Sequence, residues 1–407
     1  MLEQVTNRPV LDELLAAPGA SIYIGFDPTA DSLHVGHLLP ALMLSRFQRA
    51  GHRPIVVVGV ATGMIGDPSG RASERQLLTP EIVEANSRTV RTQLSRFVSF
   101  EGDNAALMTN NADWIAPISH LEWLRDVGKH FTVNYMIAKE SVRRRLEDRE
   151  HGISYTEFSY MLLQAYDFLH LRDHHGCRIQ AGGSDQWGNI TAGAELIRRV
   201  RGEEVFGITF PLLATSSGEK FGKSAGNAVW LDAERTSPYQ FYQYWIRTDD
   251  RDVERFLKLF TFLSLDEIES VCAAHRSAPE RRVAQKKLAE EVTRIVHGAD
   301  ALEQAVKASE ALFSGASKTN TPAIENMPSF EVQSAELDRG IKIVELMVRS
   351  GATKSRGEAA RLIEGGGVYL NEKRVEGPAS VLNPADVGAT FLLRVGKKSY
   401  FQGRIGP

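Results

Sequence analysis

In Ile22-Tyr23-Ile24-Gly25-Phe26-Asp27-Pro28-Thr29-Ala30-Asp31-Ser32-Leu33-His34-Val35-Gly36-His37, an apolar β-prone run passes through a polar turn into an apolar-periodic segment at residues 38–47. The pattern predicts a strand at 21–26 and a helix at about 36–50, with the polar residues gathered where strand gives way to helix. In an open α/β sheet that carboxyl end is where ligands bind. A helix start also offers unpaired N–H groups and the positive end of a dipole, both suited to phosphate. His34 and His37 can donate to phosphate oxygens, and Gly36, lacking a side chain, lets a flat ligand approach the backbone. Taken alone, His-Val-Gly-His fits equally well with ordinary polar residues at a helix start.

Residues 1–20 read as a leading helix stopped at Pro18-Gly19. Pro40 is tolerable if it lies in a first helical turn, where its missing N–H is an orphan anyway. Beyond that helix, Ile55-Val56-Val57-Val58-Gly59-Val60 is apolar on both faces, as suits a central parallel strand, and completes a right-handed βαβ unit. Thr62-Gly63-Met64-Ile65-Gly66-Asp67-Pro68-Ser69-Gly70-Arg71 then reads as a second glycine-rich loop at the same sheet edge. Asp67 is a candidate to bind a cationic group, with an Asx turn before Pro68 as the plainer alternative. Helical patterns follow at 80–98 and 120–150, joined by a polar stretch containing Trp114 and Pro117. The basic residues Lys139, Arg143, Arg144 and Arg145 suggest a solvated or phosphate-facing side.

The helix at 156–171 is apolar almost all round except for Tyr160, Gln164 and Asp167, which fall at i, i+4 and i+7 on one stripe. Buried polar groups need partners, supplied either by a neighbouring element or by a polar ligand. A strand near 178–181 leads into Gly182-Gly183-Ser184-Asp185-Gln186-Trp187-Gly188-Asn189, a third such loop, where Asp185 can accept from ribose hydroxyls. The helix it opens, at about 189–199, ends in Arg198, Arg199 and Arg201, which suit either the helix dipole or an RNA phosphate. After a strand at 208–213, Lys220 and Lys223 sit on the glycine-punctuated loop Ser216–Ser224. They fit a mobile phosphate clamp or, equally, a solvated lysine pair.

From 237 to about 313 the pattern is helical, and residues 314–338 have linker composition. The last segment predicts a helix at 341–348, a second opened by a Ser355–Glu358 capping box, and a strand at 368–371 that returns at 374–375. Between residues 339 and 407 stand 12 Lys+Arg against 6 Asp+Glu, a net of +6, so the remainder carries −9 for a total of −3. A basic terminal unit with Lys354, Arg356, Arg361, Lys373 and Arg374 clustered suggests a nucleic-acid phosphate backbone as partner. At 407 residues, 43% apolar and 24% charged, the chain should hold two to three globular domains. Only 2 cysteines and no long apolar run argue for a reducing, cytosolic setting and against a disulfide framework, a cysteine-rich zinc site or a membrane span. The expected boundaries are a Rossmann-like parallel-sheet α/β catalytic domain at 1–230, an α-helical domain at 231–313, a linker at 314–338 and a small α+β RNA-binding domain at 339–407.

His34-Val35-Gly36-His37 together with Lys220-Phe221-Gly222-Lys223-Ser224, at opposite ends of such a domain, resembles the signature pair of class I aminoacyl-tRNA synthetases. Four longer runs, at 23–31, 66–70, 159–167 and 183–189, resemble bacterial tyrosyl-tRNA synthetases, and the likeness spans essentially the whole chain. The final segment resembles a small RNA-binding fold also found in a ribosomal small-subunit protein and in pseudouridine synthases.

The resemblance implies activation of L-tyrosine with ATP, then transfer to the 3′-terminal adenosine of tRNA-Tyr. It places Tyr23 and Asp167 at the phenol hydroxyl, and Asp67, Tyr160, Gln164 and Gln186 around the rest of the tyrosine. Thr29 and His34 would meet the γ-phosphate and His37 the ribose region. Asp27, Gly36, Gly183, Asp185 and Gln186 would hold the adenylate. Lys220, Lys223 and Ser224 would close on pyrophosphate, with Arg71 and Arg75 nearby. Arg71, Arg75, Arg198 and Arg199, with the five terminal cations named above, would meet tRNA. Mg²⁺ would travel on the ATP phosphates without a protein cage, no structural metal is expected, and the enzyme would be a homodimer acting on neither DNA nor membrane. Two departures stand out: Phe221-Gly222 replaces the family's common Met-Ser, and Pro40 follows His37 by about one turn, where it should alter ATP affinity. The alternatives are a tryptophanyl enzyme, a non-catalytic RNA-binding homologue and a small adenylyltransferase. Asp167 beside Tyr23 favours a phenol over the first, the intact histidines and lysines argue against the second, and residues 231–407 are more than the third requires.

Overall fold

Apolar runs flanked by amphipathic helices build the amino-terminal half around one sheet. The structure, a computed structural model, describes residues 2–69, 77–147, 152–216, 221–224, 227–313, 329–371, 373–388, 390–396 and 399–406. It divides into two units, 1–232 and 233–407. The first runs β1 (Gln4–Val5), α1 (Arg8–Ala16), β2 (Ser21–Phe26), α2 (Val35–Arg49), β3 (Arg53–Val58), α3 (Val60–Ile65), α4 (Pro80–Leu94), β4 (Leu107–Asn110) and α5 (Ala112–Ile115). It continues through α6 (His120–Asp126), α7 (Val133–Ile137), α8 (Glu140–Glu147), α9 (Tyr155–His175), β5 (Ile179–Gly183), α10 (Trp187–Arg201), β6 (Phe206–Phe210), β7 (Lys223–Ser224) and β8 (Asn227–Ala228).

Among the described residues the sheet has six strands in the order β1-β6-β5-β2-β3-β4, parallel except for β1 at the edge. From β2 the chain builds outward through β3 and β4, then returns to place β5 and β6 on the other side. The β2/β5 boundary is therefore a topological switch point, where the strand ends splay and leave a crevice. β2 and β3 are buried on both faces, as helix-covered parallel strands should be.

Several expectations need correction. β3 stops at Val58, and Val60, read as strand, joins residues 62–65, read as loop, in α3 (Val60–Ile65). Gly63 packs closely on Pro28 there: a Cβ would come within 3.1 Å of its ring. β1 and β4, too short for a periodic signal, went unread. Residues 120–150 break into α6, a 3₁₀ turn, α7 and α8, with Ser119 and Thr132 capping α6 and α7. Pro40 lies in the second turn of α2, whose N-cap is His34, so its missing N–H is one that would bond the Gly36 carbonyl. Arg145 is not solvated: it forms a buried 2.8 Å ion pair with Glu157 across the α8–α9 connection.

The second unit begins with α11 (Pro238–Ile246), α12 (Asp250–Phe260), α13 (Leu265–Ser277), α14 (Val283–His297) and α15 (Ala299–Phe313). Trp245 is fully buried here against Phe256 and Phe260. After residues 314–328, outside the described set, come β9 (Ser329–Gln333), α16 (Ser334–Arg339), β10 (Ile341–Lys342), α17 (Ile343–Arg349) and α18 (Arg356–Glu364). β11 (Val368–Leu370), β12 (Lys373–Arg374), β13 (Val381–Leu382), β14 (Thr390–Val395) and β15 (Ser399–Gly406) complete it. A sheet ordered β12-β11-β14-β15-β9 carries the α17–α18 pair. Residues 329–338 thus belong to the terminal fold and not to a linker: Phe330 and Val332 alternate into its core. Ser355 caps α18, but the Glu358 carboxylate takes the Lys354 N–H at 2.8 Å, so the reciprocal half of the box is displaced by one residue.

Candidate active site

The site is built at the switch point. β2 and β3 end in register, Phe26 opposite Val58, and the Gly59 N–H closes on the Phe26 carbonyl at 2.9 Å. Asp27 therefore emerges directly beside Gly59, where a Cβ would sit 2.2 Å from its Oδ1, so only glycine fits. One Asp27 oxygen accepts from the Thr62 hydroxyl on α3 and the other from the Tyr160 hydroxyl on α9, each at 2.7 Å. Burial and the nearby aspartates push the Tyr160 phenol well above its ordinary pKa, so it is a fixed donor.

Deeper in the crevice, Tyr23 and Asp167 are both buried, at 1% and 4% exposure. The Asp167 oxygens accept from Asn111 Nδ2 at 3.1 Å and Trp114 Nε1 at 2.8 Å. These bonds favour the ionised form, yet burial outweighs them and lifts the carboxyl to about 7. Asn111 is itself locked: its carbonyl accepts from the Ala61 N–H at 2.8 Å and its amide donates to Thr62 at 3.0 Å.

The opposite wall is a chain of carboxylates and amides. Asp67 accepts from the Ser69 N–H at 2.9 Å, the anticipated Asx turn, and also from Gln186 Nε2 at 2.6 Å. Asn189 donates to Gln186 and Gln164 at 3.2 and 3.1 Å. Burial, and then the charge of Asp67, raise the pKa of Asp185. A Cβ on Gly183 would meet Asp185 Oδ1 at 2.5 Å, so this glycine too is fixed by the site. Asp27, Asp67, Asp167 and Asp185 thus crowd one pocket, an arrangement that a bound cation relieves.

At the start of α2, His34 Nδ1 accepts from the Gly36 N–H at 3.0 Å and His37 Nδ1 accepts from the His34 N–H at 3.2 Å. Both rings are stacked at 4.1 Å, and with Nδ1 accepting, each carries its proton on Nε2. The carboxyl arm of the lysine loop pairs with the same turn. Val35 N–H bonds the Val229 carbonyl, Leu231 N–H the Leu33 carbonyl, and Trp230 bridges His34. β7 and β8 form a hairpin in which Lys223 faces Ala228, and Gly222, at φ +79°, lies beside the Gly36 N–H. Thr29 sits in the intervening turn, its N–H on the Asp27 carbonyl at 2.8 Å. Lys220, Arg71 and Arg75 lie outside the described residues, and only the backbone of Lys223 and Ser224 is described.

The stripe residues, then, find internal partners and still face the crevice. Thr62, Asn111, Trp114, Asn189 and Trp230 were missed. The polar pair Asn110-Asn111, where β4 ends at the same edge, was the available signal for Asn111. Arg198 and Arg199 pair with Glu195 at 2.7 and 2.6 Å. Lys354, Arg356, Arg361, Lys373 and Arg374 are exposed around α18 and the β11–β12 hairpin. Arg356 pairs with Glu345 at 3.1 Å. Among the described residues no helix is long and apolar enough to cross a membrane, and no His/Cys/Asp/Glu group could hold a metal.

A family model described as tRNA synthetases class I (W and Y) matches residues 17–314, and one described as the tyrosine–tRNA ligase SYY-like C-terminal domain matches residues 321–402. The chain is 52% identical to the tyrosine–tRNA ligase of Geobacillus stearothermophilus, covering 98% of this chain and 96% of that one. It is 51% identical to tyrosine–tRNA ligase 1 of Bacillus subtilis over the same shares. Among solved structures it is similar to a C-terminally truncated mitochondrial tyrosyl-tRNA synthetase of Aspergillus nidulans. The TM-score is 0.69 at 32% identity, covering 77% of this chain and 91% of that one.

Proposed function

We infer the chemistry from one premise: the chain belongs to the class I tRNA synthetases of the tryptophan and tyrosine type, and within them it is a tyrosine–tRNA ligase. Its reaction joins L-tyrosine to ATP, then passes the tyrosyl group to tRNA-Tyr. The observation that carries the assignment of residues is the buried Asp167 carboxylate, held by Asn111 and Trp114 beside Tyr23. A site built to hydrogen-bond a hydroxyl rejects the analogue lacking it, a rule for which tyrosyl-tRNA synthetases are themselves the worked illustration.

On this reading the substrate phenol bonds Asp167 and Tyr23, while the α-ammonium enters the acidic wall of Asp67, Tyr160, Gln164 and Gln186. Gly36, Gly183, Asp27 and Asp185 hold the nucleotide and its ribose. The tyrosine carboxylate forms a bond to the α-phosphorus as the bond to the pyrophosphate oxygen breaks. In the second step a terminal ribose hydroxyl attacks the tyrosyl carbonyl and AMP leaves. Neither step needs a covalent enzyme nucleophile. The protein positions the reactants and places donors where charge develops. Nε2–H groups of His34 and His37, with Thr29, Lys220, Lys223 and Ser224, are those donors, and Mg²⁺ arrives as part of the ATP substrate. Arg71, Arg75, Arg198, Arg199 and the exposed terminal cations meet tRNA phosphates. The Arg198 and Arg199 pairs with Glu195 are no obstacle, because exposed ion pairs are worth little.

The domain roles follow as proposed: catalysis in 1–230, tRNA-arm binding in 231–313, and RNA binding in a terminal unit that begins at Ser329. A homodimer is supported by Leu121 on α6, Val133 on α7 and Tyr155 on α9, which leave 78%, 59% and 69% of their surface exposed. The free, buried cysteines suit a cytosolic enzyme. Tyrosine-dependent exchange of labelled pyrophosphate into ATP tests the reading. Exchange with tyrosine and none with phenylalanine or tryptophan is expected, and exchange driven by tryptophan would overturn it.

A further inference from the structure

The two donors that hold Asp167 are themselves held very differently. Asn111 is fully buried and tied to Ala61 and Thr62 as well as to Asp167. Trp114 stands on α5, a helix of 4 residues with no side-chain cap. Its indole N–H reaches Asp167 at 2.8 Å, while the half-buried ring packs at the margin of the core. Against the indole lies the imidazole of His170, stacked with centroids 4.4 Å apart and planes 12° from parallel. His170 follows Asp167 by three residues on α9, so carboxylate and imidazole share a face and the indole lies across both. His174, one turn further along, packs against His170 itself, with centroids 4.2 Å apart and planes tilted by 33°.

We propose that His170 is a positioning residue for recognition of the substrate phenol, acting by pinning the Trp114 indole and, through its N–H, the Asp167 carboxylate. The proposal rests on the reading of Asp167 as the phenol's acceptor. Preorganisation is what makes such a contact matter: an acceptor free to move must be ordered at the expense of binding energy. The imidazole suits the task because burial, with His174 and His175 nearby, depresses its pKa to about 4 despite Asp173. At neutral pH it stacks as an uncharged ring and adds no positive charge beside Asp167.

The test measures tyrosine KM, kcat and tyrosine-over-phenylalanine preference by pyrophosphate exchange in the full chain, for His170→Ala, His170→Phe, Trp114→Phe and the Trp114→Phe/His170→Ala double variant. His170→Ala should raise tyrosine KM and erode the preference by about tenfold, the scale of a weakened hydrogen bond to a charged group, with kcat at saturating tyrosine largely kept. His170→Phe, which keeps a flat uncharged ring, should restore both. With the indole N–H already gone, His170→Ala should add little to Trp114→Phe, since residues acting through one contact are not additive. An unaltered tyrosine KM in His170→Ala, failure of phenylalanine to rescue, or full additivity in the double variant would each overturn the proposal. Asp167→Ala separates the two levels. Normal tyrosine binding there would remove the phenol reading and the proposal together, whereas crippled binding with an indifferent His170→Ala would sink the proposal alone.

Discussion

A carboxylate that burial lifts to about 7 is half protonated at neutral pH before any substrate arrives. Both Asp167 oxygens already accept hydrogen bonds, from groups that can only donate. A proton on either oxygen therefore disrupts the acceptor that a phenol requires. The kcat/KM for tyrosine should fall by about tenfold between pH 8 and pH 6, since that ratio reports ionisations of the free enzyme. The loss should lie in tyrosine KM, with the ATP KM lacking the same limb, and a flat tyrosine profile across this range would contradict it. Stability runs the other way. Because the folded pKa is raised, this group's contribution is present at low pH and lost as pH rises through about 7. At this scale the sequence was informative where polar residues interrupt an apolar pattern, as at Tyr160, Gln164 and Asp167. It was silent on Trp114, whose importance comes from a neighbour 53 residues away and not from any local pattern.

Two elements that are distant in the chain meet at the proposed nucleotide end: the turn before α2 and the strand pair β7 and β8. Backbone bonds from 33–35 to 229–231 fasten one arm of the hairpin, so the lysine loop is anchored at its carboxyl side, next to the histidines. That anchoring supports a clamp. Lys223→Ala should slow adenylate formation by about tenfold or more while leaving tyrosine Kd nearly unchanged, as loss of a charge contact made in the transition state does. A large rise in tyrosine Kd would refute the clamp. Gly222, where the family commonly has serine, adopts φ +79°, a region that costs an L-residue about 1–2 kcal/mol. Gly222→Ala should therefore slow activation by about five- to thirtyfold through the loop population, with tyrosine Kd again unmoved. Wild-type activation would show that the loop works in another conformation. Element boundaries were legible where caps and periodicity agree, as at Ser21–Phe26. They failed at residues 62–65, where glycine composition signals a loop but the chain forms a short helix with Gly63 packed on Pro28.

Across the whole chain, charge and architecture separate together: an acidic body carries the proposed active site, and a basic terminal fold carries the exposed cations Lys354, Arg356, Arg361, Lys373 and Arg374. Composition alone placed that boundary at 339, because the Ser, Thr, Asn and Pro residues before it mask the short alternation of Phe330 and Val332. The pairing is specific: Ser329–Gln333 runs parallel to β15 from Gln402 to Gly406, and both apolar residues enter the terminal core. A chain cut after residue 338 would keep β9 without the strand it pairs with, exposing two core side chains and an open strand edge, a template for aggregation. A chain ending at residue 313 removes the terminal fold as a unit. It should retain tyrosine-dependent pyrophosphate exchange, because every side chain placed in the pocket lies before residue 232, and should lose charging of tRNA-Tyr. The chain cut at 338 should show the same split in activity but a greater tendency to aggregate. Binding of tRNA by the full chain should weaken steeply with added salt, as counterion release by a phosphate-tracking surface requires. Charging retained by the chain ending at 313 would mean that the basic fold is not the arm that holds tRNA.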